Sequence, residues 1–280
     1  MKNFYGYFLI ALLTCSCASQ NVAIKEMGTA LNAKSVKDLP YQIPNELIAH
    51  FPLDGTNQNL AEHTYGERKL GSFSSNYVYK GVGSISTGGS TLTTDRENNP
   101  DSALELDGKY GVIKIGYHKS IHFNSAYSVS MWIYYPGDHQ RSCIISREIV
   151  EPPFGVGALF INAYLQEHDR INKHQLSLTS QDFKNTSRFQ DFELKEGWHH
   201  IVLIDNMNVE TSVYVDGELI GSYPDKNRKR DPHSMGWYII GNIKYGFNTK
   251  ENFHFKGKVD DIRFYSGVLD QQAINKLYTE

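Results

Sequence analysis

The sequence predicts an all-β sandwich closed by one short C-terminal helix. Three observations carry this. From Leu47 onward, short apolar or alternating runs recur, broken by Gly, Asn, Asp and Pro, as strands joined by turns require. Aromatic residues make up 12% of the chain, Tyr foremost, and Tyr and Phe suit a pleated, half-buried surface. Convincing helical periodicity is confined to the final "LDQQAINKLYTE". At 280 residues the chain is long for an average domain, but β sandwiches reach this size as single units.

The first element is "MKNFYGYFLIALLTCSC", residues 1–17. Lys2 supplies a short positive start, and the apolar stretch from Phe4 to Leu13 is too short to span a bilayer stably. It ends in small residues and cysteine, a pattern that resembles a bacterial lipoprotein signal. Cleavage before Cys15 would use Leu12-Leu13-Thr14, and cleavage before Cys17 would use Thr14-Cys15-Ser16. Ser is the better residue just before the cut, Leu the better one three places before it, and Cys17 is preferred on balance. An ordinary secreted signal peptide is the alternative. The expected location is the cell envelope, with the chain lipid-anchored at an outer membrane or cell surface, and otherwise secreted. The membrane would be met through the lipid alone. Residues 18–45 are polar and mixed and end in two prolines, the composition of a tether.

Residues 46–280 then read as one domain. Its strand-like runs are, in order, "LIAHFPL", "SALELDG", "YGVIKIG", "YSVSMWIYYPG", "CIISRE", "GALFINAYL", "HQLSLTS", "WHHIVLI", "TSVYVDG", "GWYIIGN" and "KGKVDDIRFYSG". Residues 60–100 are rich in Gly, Ser, Thr and Asn and predict long loops with one or two edge strands. "GWHHIVLIDNMNVETSVYVDGELIG", Gly197 to Gly221, reads as three strands and two turns. In the closing helix Asp270 is placed to cap the N-terminus, and Ala273, Ile274, Leu277 and Tyr278 form one stripe. Cys143 is the only cysteine beyond the leader, so no disulfide framework exists, and it reads as a small buried hydrophobe. The net charge of -3 and a pI near 6.4 give no general case for nucleic acid.

The ordered set "LIAHFPLDG", "STLTTDRENNPDSALELDGKYGVIKI", "YSVSMWIYYPG", "GWHHIVLI", "SVYVDGELIGS", "YIIGN" and "GKVDDIRFYSGVLDQQAINKLY" resembles the laminin G-like domains of the concanavalin A-like lectin/glucanase superfamily. The resemblance implies a two-sheet antiparallel jelly roll with one sheet curved around a concave face. It also implies that Trp198-His199-His200 opens a strand and that Asp216-Gly217 makes a hairpin turn. Neighbouring residues on a strand point to opposite faces, so the two histidines are not expected to share a metal site.

Four groups of residues are candidates for function. "DFELKE" places Asp191, Glu193 and Glu196 at the spacing of a laminarinase-type Glu-x-Asp-x-x-Glu, but with the wrong residue types at its first and middle positions. The alternative there is a solvated acidic turn. Domains of the resembling kind often hold a structural calcium near the first strand's "DG" and the Asp of the last strand. Asp54, carbonyls such as that of Gly55, and Asp260 would then share a Ca²⁺ ion. By strand parity Asp260 is expected on the face of Ile262 and Phe264. A buried Asp satisfied by backbone N–H groups is the competing reading. Exposed rings that stack on sugars are sought at Tyr245, Phe247 and Trp237, while Trp132 and Tyr134 should share one sheet face. In "DKNRKRDPH", Arg228, Lys229 and Arg230 make a basic loop, most simply a solvated hairpin tip. The resemblance adds that such loops can hold anionic polysaccharide.

The expected function is a non-catalytic carbohydrate-binding or adhesion module whose partner is a glycan or an envelope protein. A glycan-cleaving hydrolase or lyase of the same superfamily is the first alternative, and a structural protein-contact domain is the second. The sequence leaves catalysis open and leans away from it.

Overall fold

The computed structural model describes residues 45–54, 85–88, 90–115, 125–138, 141–149, 158–161, 175–179, 186–207, 209–224, 236–242 and 253–280. Among them, β1 (Leu47–Phe51), β2 (Ile85–Gly88), β3 (Ser90–Thr93), β4 (Ala103–Asp107) and β5 (Val112–Ile115) come first. β6 (Tyr127–Tyr135), β7 (Ser142–Ile149), β8 (Ala158–Ile161), β9 (Gln175–Thr179) and β10 (Thr186–Glu193) follow. The chain ends with β11 (Gly197–Asn206), β12 (Glu210–Val215), β13 (Glu218–Pro224), β14 (Gly236–Ile240), β15 (Lys256–Ser266) and a helix α1 (Gln271–Thr279). The strands make two antiparallel sheets packed as a jelly-roll sandwich, as expected. The first sheet has the order β13-β12-β11-β6-β15-β4-β3, with β1 also paired to β15. The second has the order β10-β9-β8-β7-β14-β5-β2. The two strands from the weak 60–100 region, β2 and β3, are indeed edge strands, one in each sheet.

Period-2 alternation decides which side chains meet between the sheets. On β6, Val129, Met131 and Ile133 enter the core, and on β11, Ile201 and Leu203 do so. They face Ile113 and Ile115 of β5, Ile145 of β7, Leu159 of β8 and Leu176 of β9. Each such side chain contributes roughly 1.5–3 kcal/mol by leaving water.

The parity of β15 is broken by a bulge. β4 pairs with Lys256–Val259 and β1 with Ile262–Tyr265, and between them the register against β6 shifts after Asp260. Asp261 takes up the extra residue with φ +53, a left-handed conformation that Asp tolerates better than most residues. Val259 and Ile262 therefore both point into the core, and Asp260 points away from it. This corrects the expected parity: Asp260 does not share the face of Ile262 and Phe264, because one inserted residue flips every side chain beyond it. Asp260 is nevertheless buried, on the outer face of the first sheet opposite Trp132.

That outer face is largely covered. Asp270 caps α1 as predicted, its carboxylate accepting from the Ala273 N–H at 2.8 Å. Ala273, Ile274 and Leu277 are buried, while Tyr278 is 40% exposed yet stacks on Trp132 and His200. On the second sheet the outward positions Cys143, Ser146, Ser177 and Ile239 are also buried, so its central outer face carries no open platform among the described residues.

Candidate functional site

One part of the first sheet's outer face stays open: the end where β6 finishes and β11 and β15 begin. The register puts Thr91, Glu105, Lys258, Tyr134 and Trp198 side by side on β3, β4, β15, β6 and β11. All five belong to the outward set of their strands. With adjacent strands about 4.8 Å apart, the row is about 19 Å long. Tyr134 and Trp198 meet edge to face with centroids 5.8 Å apart, and both remain partly exposed. The Tyr134 hydroxyl donates to Glu196 Oε1 at 3.3 Å. Loss of hydration and the Glu196 charge raise its pKa. Lys258 Nζ lies 5.6 Å from the Tyr134 ring centre and donates to the Thr94 carbonyl and hydroxyl at 3.3 and 3.0 Å. Lys256 pairs with Asp138 at 3.2 Å, and Tyr110, 65% exposed, stands in the turn that leaves β4 at the same end. Flat rings flanked by fixed hydrogen-bonding groups are what the faces and hydroxyls of a sugar require.

Next to this row, the Trp-His-His stretch has a structural task. Asp216 and Gly217 form the hairpin turn between β12 and β13, with φ +52 and +84. From there the Asp216 carboxylate accepts from His199 Nδ1 at 2.7 Å and from the His200 backbone N–H at 2.8 Å. His199 Nε2 also meets an acceptor, the Lys195 carbonyl at 2.9 Å, so both ring nitrogens face acceptors and the protonated ring is favoured. Burial opposes that charge, but the Asp216 bond, the Lys195 carbonyl bond and the Asp216 charge together prevail and raise the His199 pKa. His200 turns to the outer face, 2.8 Å from the Ser130 hydroxyl and 5.1 Å from the Trp132 ring, and burial lowers its pKa to about 4. The two histidines thus part, as alternation demands, and neither is aimed at a shared ligand.

Asp260 already has a cation. Arg96 donates to its Oδ2 at 3.1 Å while its guanidinium stacks 4.7 Å over Trp132. Burial and the neighbouring Asp261 charge still push Asp260 up to about 7 against that pull. Asp54 is exposed at the end of β1. Among the described residues, no group of three or more His, Cys, Asp or Glu is placed to hold a metal ion. Of the acidic triplet, Asp191 and Glu193 lie on β10 of the second sheet, whereas Glu196 lies in the turn into β11 of the first. They do not line one strand, which departs from the glucanase arrangement, and Glu196 is engaged with Tyr134. The stretch before Trp198 is thus more than a solvated acidic turn: it is an edge strand of the second sheet followed by a crossover to the first. Trp237 lies on β14 and its side chain is outside the described residues, as are Cys15, Cys17, Gly55, Arg228, Lys229, Arg230, Tyr245 and Phe247. Trp132 and Tyr134 do share a face, but Trp132 is covered and Tyr134 is not. The row itself was missed because its members are far apart in sequence. The only local signal was the equal parity of Trp132, Tyr134, Trp198 and His200 on two runs that turn out to be paired.

Residues 107–275 match the laminin G family model described as the concanavalin A-like lectin/glucanases superfamily. Comparison with curated protein sequences finds no match. Solved structures with a similar fold include domain 4 of the extracellular arabinanase AbnA from Geobacillus stearothermophilus, in complex with arabinotriose. It is 17% identical with TM-score 0.54, over 84% of this chain and 98% of that one. A sialidase from Trypanosoma rangeli with bound 2,3-difluorosialic acid is 14% identical with TM-score 0.57, over 89% of this chain and 35% of that one. The binding domain of botulinum neurotoxin serotype D/C is 13% identical with TM-score 0.52, over 84% of this chain and 52% of that one. The chain thus spans about a third of the sialidase and half of the toxin domain, and at these identities the likeness is one of fold.

Proposed function

Since this chain belongs to the laminin G family of the concanavalin A-like lectin/glucanase superfamily, we propose that it is a non-catalytic carbohydrate-binding and adhesion module of the cell envelope. The observation that carries the reading is the open row at Tyr134 and Trp198, two partly exposed rings set between Glu196 and Lys258 on a rigid sheet. A platform on paired strands binds without needing to order itself first, so little entropy is lost on binding. The arabinanase domain that shares this fold was solved with a bound arabinotriose, which is consistent with the reading. The absence of a one-strand acid pair at Asp191, Glu193 and Glu196 weighs against the glycan-cleaving alternative.

The test is a glycan array with the full chain. Selective binding that falls at least tenfold in Trp198→Ala supports the module and its site. A blank array from folded protein favours a protein-contact role, and release of reducing ends from any bound glycan restores the enzyme reading. The proposal includes a lipid anchor on Cys17, or on Cys15, tested by fatty-acid labelling of the Cys17→Ser and Cys15→Ser variants in a bacterial host. It includes a structural calcium only where carbonyls such as that of Gly55 complete what Asp54 and Asp260 begin. A melting temperature that EDTA leaves in place removes the ion.

A further inference from the structure

We infer that the row selects neutral glycan chains and rejects those carrying uronate, sulfate or sialate, an inference that rests on the carbohydrate-binding reading. The charges beside the two rings decide it. Lys256 is already paired with Asp138 at 3.2 Å. Lys258 is held by both oxygens of Thr94 and faces Glu105 across the strands. Lys256 is thus paired with a carboxylate, whereas Lys258 keeps its charge but has two of its three N–H donors taken by Thr94, and Lys109, exposed over the Tyr110 ring, is a further cation at this end.

Glu196 is the opposite case. Its carboxylate takes the Tyr134 hydroxyl on Oε1, and among the described residues no cation pairs with it. Its stem is packed so closely on Gly137 that a β-carbon there would come within 3.2 Å of the Glu196 Cβ. The base of the Glu196 side chain is therefore held at the edge of the rings, and its exposed carboxylate leaves Oε2 to accept from sugar hydroxyls. Hydroxyl donors to a carboxylate make charge-assisted bonds, about twice as strong as neutral ones. A sugar acid stacked on the same rings would bring a second negative charge within about 5 Å. That repulsion weakens binding by about fourfold at the dielectric constant of water and by roughly a few hundredfold at the effective value near 20 of a protein surface, so a tenfold loss lies toward the solvated end of this range. Selection by hydroxyls rather than net charge also makes binding nearly independent of salt.

The experiment measures binding of the full chain to four probes: linear arabinan and laminarin, which are neutral, and polygalacturonate and heparin, which are anionic. Wild type, Trp198→Ala and Glu196→Gln are compared, with circular dichroism to show that each is folded. The expected result is binding of a neutral probe, lost at least tenfold in Trp198→Ala and changed less than twofold between 50 and 300 mM salt. The anionic probes should bind about tenfold more weakly, and Glu196→Gln should narrow that gap. An anionic probe that binds more tightly than both neutral ones and is lost in Trp198→Ala overturns the selectivity while leaving carbohydrate binding intact. If folded wild type binds none of the four probes and the array is also blank, the carbohydrate reading fails and takes the selectivity with it.

Discussion

Asp261 joins three elements through one carboxylate, and replacing it by Asn removes the charge while keeping the shape. Its Oδ1 meets His50 of β1 and Arg263 Nε at 3.1 Å, and its Oδ2 meets Arg263 Nη2 at 2.9 Å. Arg263 in turn donates to Glu280 beside α1. Removing one partner of a fully buried pair costs about 3–5 kcal/mol. Here the side chains of His50, Asp261 and Arg263 keep 13–16% exposure, and Glu280 still holds the far nitrogen of Arg263. The expected loss for Asp261→Asn is therefore about 2–3 kcal/mol, reduced by residual solvent screening. Asn accepts the positive φ of the bulge, whereas Ala does not, so Asp261→Ala should cost a further 1 kcal/mol or so. Urea unfolding at pH 7, followed by tryptophan fluorescence, measures both. Burial alone would raise the Asp261 pKa, but the His50 bond and the Arg263 charge bring it below the ordinary carboxylate value. Its stabilisation is thus present above the unfolded value near 4 and lost as pH falls through the lower folded value. The gap between wild type and Asp261→Asn should shrink accordingly in acid. A variant within about 0.5 kcal/mol of wild type at pH 7, a gap that persists in strong acid, or Ala no worse than Asn would each refute this account.

Three further outcomes are expected. Asp260 has a folded pKa of about 7, so its favourable contribution is complete below about pH 4 and is lost as pH rises through 7; Asp260→Asn should flatten the fall in stability across that window, which amounts to roughly 2–4 kcal/mol in wild type. His199, with a raised pKa, stabilises fully below about pH 6.5 and less as pH rises through its folded value, so His199→Gln should cost more at pH 5.5 than at pH 9 in thermal melts. Tyr278→Ala removes the ring stacked on Trp132 and His200; since Tyr278 is 40% exposed, the cost should be about 1–2 kcal/mol, with faster amide exchange in α1 and a changed near-ultraviolet dichroism. Unchanged exchange would mean that Ile274 and Leu277 hold the helix without it.

The periodic elements were legible before any coordinates. Alternation put Trp132 and Tyr134 on one face of β6 and parted His199 from His200 on β11, the resemblance marked Asp216-Gly217 as the β12–β13 turn, and Asp270 with the Ala273, Ile274 and Leu277 stripe gave α1. Each rests on a preference that acts within a few residues, and such preferences are written locally. The face of Asp260 was misread for a reason equally physical. A bulge is set by how β15 must meet β6, β4 and β1 at once, and nothing within "KVDDIRFY" declares it.

What the sequence by itself determined, then, is a β sandwich with a capped closing helix and a resemblance that named its superfamily. Only the tertiary structure decided which outward side chains stay open. Trp132 and Tyr134 have the same parity on the same strand, yet α1 and Arg96 cover the first, while the second stands beside Trp198, 64 residues along the chain. Cross-strand neighbours and the segments that cover them are set by long-range packing, whose free energy is shared among many distant residues and so leaves no local mark.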